Sequence, residues 1–377
     1  MNTKYLINKV GDSLLKFYCD CGSIETFMND PIRNCVRRTE ILAVLLLYLC
    51  KTKKRNEIID LIIKNVELEK IDITLEYGYK SIDDQIGYYG AIPIAFWLIA
   101  LSEYCRYSDK DNTKIQSIMT NLMDCIYQNE GNGYLRKTSI NRFDVLNTNL
   151  LVGLGFWEAS KIFDENSTRN VMYSALARRT IFRVITFQRY DGFFPYQSDT
   201  PRINLIYHNM VVSILKKFQL DMNDPTLSLI INRGTKAAIK SLKSNGTINW
   251  DMQEINDKNG ASWAYGWLLS CINPGDLLDK VRDDVLIKCL SEDGFLSNEN
   301  ENWGDKFYTS WTLMALLIGY SDSISQKDIK INISSYIRYF IIMLICRIRF
   351  ALIYYDYLKM RVKNYIFHTG RVPGSWR

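Results

Sequence analysis

The stretch QRYDGFFPY, residues 188–196, is the clearest of four related turns along this chain. Each turn is polar, carries a pivot glycine, adds an aromatic or aliphatic residue and leads into a long apolar segment. The other three turns are QNEGNGYL (128–135), KSNGTINW (243–250) and SEDGFLSN (291–298). The pivot glycines follow one another at intervals of 59, 54 and 48 residues: Gly133, Gly192, Gly246 and Gly294. A recurring unit of about fifty residues predicts a repeat architecture, in which each unit buries its apolar face against its neighbours.

The segments on the two sides of these turns differ in kind. Before a turn, as in residues 113–128 and 279–290, apolar residues recur at helical spacing on one face and polar residues fill the other. After a turn the segments are apolar nearly all round, as in 147–163, 261–272 and 307–320. A helix without a polar face must be enclosed on most sides. We therefore expect two concentric layers, with outer helices that meet solvent and inner helices that line a centre.

The pattern predicts an all-α fold of about twelve helices, paired as six outer/inner hairpins. The predicted helices are 4–18, 33–50, 54–66, 88–105, 113–128, 144–163, 167–188, 204–219, 227–243, 261–272, 278–290 and 306–320. Six hairpins that close on themselves form an (α/α)6 toroid with a funnel-shaped cavity. An open solenoid is the alternative, and closure is favoured because neither end looks like a polar cap. We expect the toroid domain over 1–326 and a separate tail over 327–377.

Composition limits the function classes. The 377 residues are 47% hydrophobic and 13% aromatic, which is enough for a large core. The net charge of +6 is modest, and no basic stripe interleaves with aromatics, so nucleic-acid binding is not expected. Nine cysteines, an odd number mostly in apolar segments, indicate buried thiols in a reducing compartment. The longest uncharged apolar run, 88–102, is shorter than the roughly 20 residues of a membrane span, and we expect a cytoplasmic protein.

The longer stretch RRTIFRVITFQRYDGFFPY (178–196) resembles the repeat of the terpenoid-cyclase and protein-prenyltransferase toroid superfamily. In that repeat a basic residue and an aromatic precede a Gln, and a Gly and a second aromatic follow it. The matching positions are Arg183, Phe187, Gln188, Gly192 and Phe194. Gln128, Gly131 and Tyr134 echo them, whereas the later turns lack the Gln. The resemblance implies the toroid fold. Proteins of similar appearance occur in bacterial capsule and exopolysaccharide loci, and uronate-acting lyases, epimerases and hydrolases share the wider architecture.

The motifs of the superfamily's own reactions are missing. Cyclases of this kind use Asp-x-Asp-Asp or Asp-Asp-x-x-Asp, and the pairs at 83–84 and 283–284 lack the further Asp. Protein prenyltransferases need an Asp/Cys/His zinc set, but the only histidines are His208 and His368. The Cys-His dipeptide of lanthionine cyclases does not occur either. We therefore expect no metal site and no cofactor.

The strongest candidate constellation for catalysis is Tyr207 and His208, with Arg202 and Asn204 just before them. The loop 195–201 leads into the fourth inner helix, so these residues would lie in its first turn at the cavity mouth. Uronate lyases and epimerases use such a Tyr/His pair: one group removes the proton beside the carboxylate, another returns a proton, and Arg or Asn neutralises the developing enediolate. The alternative is that Tyr207 packs and His208 is a hydrogen-bonded residue at the helix start.

Carboxylates and aromatic rings give further candidates. Asp83 and Asp84 precede the inner helix at 88 and could supply a general acid and base for glycoside chemistry. An Asp before a helix is more often an N-cap, although one cap does not need two acids. Flat rings on the expected cavity side suit sugar faces, and the same spacing also suits core packing. These rings are Tyr196, Trp250, Trp263, Tyr265, Trp303, Tyr308 and Trp311.

The tail does not fit the repeat. Residues 336–357 are strongly apolar and aromatic but include Arg338, Arg347, Arg349 and Asp356. Embedded arginines disfavour a membrane span. Two interpretations stay open: a basic amphipathic helix that lies on the inner membrane face, or a helix that packs on the outside of the toroid or on a second subunit.

Three function hypotheses follow. The favoured one is a glycan-handling protein of surface-polysaccharide biosynthesis that acts on a saccharide, uronic-acid-containing or lipid-linked, by acid/base chemistry as a lyase, epimerase or hydrolase. The second is a non-catalytic toroid that binds a saccharide or a partner protein. The third is an isoprenoid-processing enzyme that lacks the usual acidic motifs.

Overall fold

The computed structural model describes residues 2–23, 38–71, 73, 91–128, 144–255, 262–272, 275–297, 306–319 and 331–367. Within these ranges the regular structure is helical, and strand pairing is limited to isolated bridges beside the turns. The helices are α1 (Thr3–Asp20), α2 (Arg38–Thr52), α3 (Asn56–Glu67), α4 (Ala91–Tyr107), α5 (Thr113–Gln128), α6 (Leu146–Ser160), α7 (Thr168–Ile185), α8 (Leu205–Met222), α9 (Pro225–Lys240), α10 (Ser262–Cys271), α11 (Asp276–Asp279), α12 (Lys306–Gly319) and α13 (Ile333–Phe367).

The even-numbered helices up to α12 form a closed inner ring. Each of them contacts the next, from α2 through α4, α6, α8 and α10 to α12, and α12 returns to α2. The outer helices α3, α5, α7, α9 and the α11 region each pack on the inner helix that precedes them, while α1 packs on both α12 and α2. The predicted (α/α)6 toroid is therefore confirmed, and the open solenoid is wrong.

Sequence pattern explains the two layers. In the inner helix α6, every residue except Trp157 is buried, in keeping with its all-round apolar sequence. In the outer helix α3, burial is confined to Ile59, Ile62, Ile63 and Val66, which lie on one face at helical spacing. Burial of apolar surface is the main stabilising term, so this pattern fixes which helix lies inside and which outside.

Three of the four repeat turns share one backbone geometry. Gly192, Gly246 and Gly294 have φ values of 94°, 85° and 78°, a region that residues with a side chain rarely adopt. In each turn the glycine N–H donates to the carbonyl three residues earlier, at 3.0, 3.0 and 2.9 Å. Most of the first turn, 128–135, lies outside the described residues. The glycines are therefore required by the turn, as the sequence predicted.

Each of these three glycines also packs closely on the next outer helix. A Cβ added to Gly192 would lie 2.7 Å from the Arg233 carbonyl in α9, and one added to Gly246 would lie 3.3 Å from Lys280. At the last turn, Gly294 lies against Ser13 of α1. The outer layer is therefore closed by the first helix of the chain, which packs beside the last turn.

One helix of the ring differs from the sequence prediction, and the predicted helix of the tail is present. The helix expected over 278–290 is regular only in α11 and continues as a π-helical turn, Lys280–Leu286, and a 3-10 turn, Ile287–Cys289. This irregular stretch lies where the turn at Gly246 approaches Lys280 and Val281. The tail forms one long helix, α13, of 35 residues.

One face of α13 packs on α9, with Ser335, Ile342 and Cys346 buried. Packing on the outside of the toroid, one of the two interpretations of the tail, is therefore observed. The expected domain boundary at 326/327 lies in residues 320–330, which are outside the described ranges, and it stays a prediction. None of the described helices is both long and apolar enough to cross a membrane.

Candidate functional site at the mouth of the ring

A short hairpin, residues 195–203, joins two inner helices at the end of the ring where they begin, which we call the mouth. Pro195 pairs with Ile203, and the Tyr196 N–H donates to the Arg202 carbonyl at 3.1 Å. The Tyr196 carbonyl accepts the N–H of Leu146, at the start of α6, at 3.1 Å. Tyr196 and Arg202 are both half-buried. The structure thus places these two candidates at the mouth, as expected.

Five aromatic rings form a continuous series across the mouth, which we call the aromatic row. The centroid distances between consecutive rings are 4.7, 5.6, 4.9 and 5.2 Å, in the order Tyr196, Tyr207, Trp263, Trp311 and Phe96. The first two rings stack with an interplanar angle of 24°, and both are half-buried. Trp263 and Trp311 are 7% and 2% exposed. The row therefore runs from a solvent-accessible end to a buried end.

The buried end of the row meets a carboxylate that sequence reasoning missed. The Trp311 indole N–H donates to Glu40 Oε2 at 2.8 Å, and Glu40 is fully buried in the first turn of α2. A buried carboxylate needs such a donor, because removing the charge from water is otherwise costly. The one sequence feature that could have indicated this buried carboxylate is a Glu at the start of an otherwise apolar inner segment.

Several buried polar atoms near the mouth have no hydrogen-bond partner among the described residues. They are the Asn147 Oδ1, both amide atoms of Asn209, the Ser262 hydroxyl and the Trp263 indole N–H. All four residues belong to the amino-terminal halves of inner helices. Buried polar groups in folded proteins are nearly always satisfied, so this end of the ring holds unused capacity for hydrogen bonds.

His208 has both ring nitrogens bonded to the backbone. Its Nδ1 accepts the N–H of Phe194 at 3.1 Å, so Nε2 carries the proton and donates to the Gly234 carbonyl at 3.0 Å. The side chain is fully buried between the rings of Phe193 and Phe194, and burial lowers its pKa to about 4. His208 therefore has no atom available for substrate, contrary to its expected catalytic role, and the hydrogen-bonded alternative fits.

In two other repeats, the residue at the helix position of His208 also accepts a backbone N–H from the preceding turn. The Tyr265 hydroxyl accepts the N–H of Ile248 at 3.1 Å, and the Thr309 hydroxyl accepts the N–H of Leu296 at 2.9 Å. His208, Tyr265 and Thr309 are each the fourth residue of their inner helix, and each donor lies two residues after the pivot glycine. Tyr265 is also fully buried. Its expected contact with a substrate is therefore not supported by its position.

Of the remaining candidates, Asn204 has a structural role, Trp250 and Tyr308 are partly accessible to solvent, and three lie outside the described residues. Asn204 caps α8, and its Oδ1 accepts the N–H groups of Ile206 and Tyr207 at 3.0 and 3.4 Å. Trp250 and Tyr308 are half-buried; the first lies in a 3-10 turn and the second in the first turn of α12. Three candidates lie outside the described residues: Asp83, Asp84 and Trp303.

Two further acids lie close to the hairpin. The Asp144 carboxylate accepts from the Arg183 guanidinium at 2.7 and 3.0 Å and from the Asn149 amide, so its oxygens are engaged. Asp199 is on the hairpin itself. Asp199 is exposed to solvent, yet partial desolvation of its carboxyl and the nearby Asp144 raise its pKa. Asp199 is thus an acid of the described mouth whose pKa is raised, and no motif in the sequence points to it.

The opposite end of the ring carries charges instead of rings. Lys51, Glu103, Arg106, Glu158 and Lys217 surround a cavity of about 40 Å³ where the inner helices end. Burial alone would raise the pKa of the Glu158 carboxyl, but the surrounding cations hold it below its ordinary value. Arg106 donates to it at 2.5 Å. This ion-pair cluster joins α4, α6 and α8, and its cavity is too small for a sugar.

Among the described residues, no group of three or more His, Cys, Asp and Glu side chains is arranged to hold a metal ion.

Comparison with known proteins gives structural neighbours only. No family model matches this chain, and no curated protein sequence does. A D-mannose isomerase structure aligns with a TM-score of 0.58 at 12% identity over 84% of this chain and 97% of that one. A cellobiose 2-epimerase from Bacillus thermoamylovorans B4167 aligns with a TM-score of 0.43 at 9% identity over 74% and 70%. The first likeness supports the six-hairpin ring, and at this identity it extends no further than the fold.

Proposed function

We propose that this protein binds a saccharide at the mouth of the ring. The observation that carries the proposal is the aromatic row, whose accessible end, Tyr196 and Tyr207, presents stacked rings to solvent. Ring faces of this kind pack against the C–H face of a sugar. The buried polar atoms of Asn209, Ser262 and Trp263 supply hydrogen-bond donors and acceptors for hydroxyl groups. Apolar surface with a few convergent polar groups is the usual make-up of a ligand site.

Free hexoses are the first ligands to test. The similar ring of D-mannose isomerase acts, by its name, on D-mannose, which makes this sugar and its epimers the natural starting set. A hexose needs no metal or cofactor for recognition by rings and hydroxyl-bonding groups.

Acid/base chemistry on the bound sugar is the second candidate, favoured by the raised pKa of Asp199. A carboxyl with a raised pKa keeps its proton to higher pH than an ordinary Asp and can donate it to a substrate oxygen. Tyr207 is the other titratable group we assign to proton transfer, because it is half-buried within the aromatic row. His208 has no part in this scheme, since both its nitrogens are engaged.

We expect Tyr207→Ala to weaken saccharide binding by about tenfold or more, because the stacked face is lost. Tyr207→Phe keeps the ring and should bind nearly as well as the parent protein. Tyr190→Ala is the control, because Tyr190 is 83% exposed and lies outside the aromatic row. The measurement is titration calorimetry with D-mannose, its epimers and short oligosaccharides. If Tyr207→Ala binds as tightly as the control, or if no saccharide binds, the proposal is wrong.

Acid/base catalysis is tested separately, by measuring turnover and KM. If Tyr207 and Asp199 transfer protons, Tyr207→Phe and Asp199→Asn should each lower turnover by about a hundredfold or more while KM changes little. Retained binding without any turnover would leave the protein a saccharide-binding toroid, which is the second of the sequence hypotheses.

The finer expectations rest on the sequence alone and stay predictions. These are a role in surface-polysaccharide biosynthesis, a uronic-acid-containing or lipid-linked substrate, a cytoplasmic location and peripheral contact with the inner membrane face. The isoprenoid alternative makes a different prediction, namely turnover of a polyprenyl diphosphate with magnesium.

A further inference from the structure

The outward face of α13 is a continuous apolar surface. The helix has 35 residues and is therefore about 52 Å long. Its inward face packs on α9, and its opposite face exposes seven apolar or aromatic residues to solvent. We call them the α13 seam: Ile337, Ile341, Leu344, Ile348, Ala351, Tyr355 and Leu358. The large seam residues are between 53% and 64% exposed.

The spacing of the seam is that of a coiled coil. Successive seam residues are separated alternately by four and three positions over 22 residues, from 337 to 358. This is the heptad repeat, whose mean period of 3.5 residues keeps one stripe facing a partner helix. Ile341 and Ile348 occupy a positions, and Leu344 and Leu358 occupy d positions. Branched Ile at a with Leu at d favours a parallel two-stranded coiled coil.

We propose that the α13 seam pairs in parallel with the same seam of a second copy of this chain, which makes the protein a homodimer. An aromatic side chain that becomes fully buried removes about 150–250 Å² from solvent. On that scale, the large side chains of the seam and its flanks, each about half exposed or more, present on the order of 1,000 Å² of apolar surface. The largest apolar patch on a typical monomer is only about 300–600 Å². A standard interface buries about 800 Å² per partner, so the seam is large enough for a stable dimer.

The arrangement of the body permits this pairing. At 100° per residue, the buried residues Ser335, Ile342 and Cys346 lie on the side of α13 opposite the seam. Two chains that pair through their seams would carry their rings on opposite sides of the coiled coil. The rings would therefore not collide.

The charges beside the seam are also compatible with a parallel, in-register pair. In that arrangement each g position faces the e position five residues further along the partner helix. Arg347 would then face Leu352, Arg338 would face Ile333, and Lys359 would face Tyr354 of the second copy. No two like charges are opposed, so the flanking cations do not oppose pairing.

The end of α13 gives an independent reason for a partner. From Tyr354 to Lys359, every residue whose side chain is described is exposed, so the helix has left the toroid there. Isolated helices shorter than about 12–15 residues are marginal in water. A second α13 would stabilise this end by burying Tyr355 and Leu358.

The test is the molar mass of the full chain at about 10 μM, measured by size exclusion with light scattering. We expect twice the monomer mass. Leu344→Glu should halve it, because it places a charge in the centre of the seam. Val171→Glu is the matched control, since Val171 is an outer-layer residue of similar exposure, 59% against 58%, and it should leave the dimer intact.

A cysteine variant tests the geometry without disturbing the fold. Ala351→Cys puts the two thiols against each other at a d position, so mild oxidation should give a covalent dimer. Asp356→Cys, on the side of the helix away from the seam, should not. A monomer at this concentration, or a dimer unchanged by Leu344→Glu, overturns the proposal. A monomer that pellets with phosphatidylglycerol vesicles also overturns it and assigns the seam to a lipid surface. Saccharide binding is measured separately and does not decide this question.

Discussion

At the level of single residues, three different side chains accept a hydrogen bond from the equivalent backbone N–H in successive repeats. After each described pivot glycine, a buried N–H needs an acceptor, and the fourth residue of the next inner helix supplies it. A histidine nitrogen, a tyrosine hydroxyl and a threonine hydroxyl all serve, because each offers a lone pair at a suitable reach. The one described histidine is therefore a structural anchor, and its apparent fit to acid/base chemistry came from residue type alone.

We expect His208→Ala to lower the free energy of unfolding by roughly 2–5 kcal/mol, because the Phe194 N–H and the Gly234 carbonyl lose their partner. The parent protein should also lose stability as pH falls from about 6.5 to about 4, since the unfolded state binds a proton more readily than the buried ring. The variant should lack this slope. Urea unfolding at several pH values measures both effects. A variant with parental stability and no saccharide binding would instead show a functional His208.

Sequence reasoning reached this site only in part, for a physical reason. Positive-φ glycines and one-sided periodicity are local signals, so the turns and the two layers were visible in the chain. The hydrogen bonds from His208, Tyr265 and Thr309 to the turns were not visible in the chain. Donor and acceptor are separated by 14, 17 and 13 residues in successive repeats, so no fixed spacing reveals them. Glu40 was out of reach as well, since 271 residues separate it from Trp311.

At the level of elements, the repeat turns join adjacent hairpins. Gln188 shows how: its side-chain amide donates to the Gly192 carbonyl within the turn and to the Ile230 carbonyl in α9, both at 3.0 Å. Arg189 then holds the hairpin at the mouth by donating to the Pro201 carbonyl at 2.7 Å and to Glu254 at 2.8 Å. One turn therefore fixes both the packing of the next outer helix and the position of Tyr196.

A pair of glycine substitutions separates strain from contact in these turns. Gly192→Ala should cost roughly 2–4 kcal/mol, because its φ of 94° is strained and the new Cβ would lie 2.7 Å from the Arg233 carbonyl. Gly22→Ala is the matched control, since Gly22 has a φ of 71° and nothing within 4 Å of the added Cβ. It should cost about 1 kcal/mol, from strain alone. Equal losses in urea unfolding would show that the contact with α9 contributes nothing.

At the level of the whole molecule, the ring is closed by residues from the two ends of the toroid. Phe17 of α1 meets Phe295 of the last turn edge to face, with ring centroids 6.3 Å apart. Beside this contact Gly294 packs on Ser13, and α12 contacts α2. The closed ring gives every inner helix two inner neighbours, which an open solenoid would deny to its terminal helices.

Phe17→Ala should therefore weaken the whole toroid and not only α1. We expect a loss of roughly 3–5 kcal/mol, as for other buried Phe truncations, because Phe17 is only 7% exposed. Phe182→Ala, at a site 51% exposed on α7, is the control and should cost less than about 0.5 kcal/mol. Hydrogen exchange should show lost protection in α12 as well as in α1. Faster exchange confined to residues 3–20 would mean that closure does not stabilise the rest of the ring.

The edge-to-face contact of Phe17 has a consequence for synthesis in the cell. A ribosome adds about 5–20 residues per second, so the amphipathic α1 emerges roughly 15–60 s before α12, on which it packs. Throughout that interval α1 can pack on α2, but the part of its apolar side that packs on α12 stays uncovered, and contacts so distant along the chain are slow to form. Of the helices of the ring, α1 therefore waits longest for its final partner, and its uncovered surface is where a chaperone would have the longest opportunity to bind.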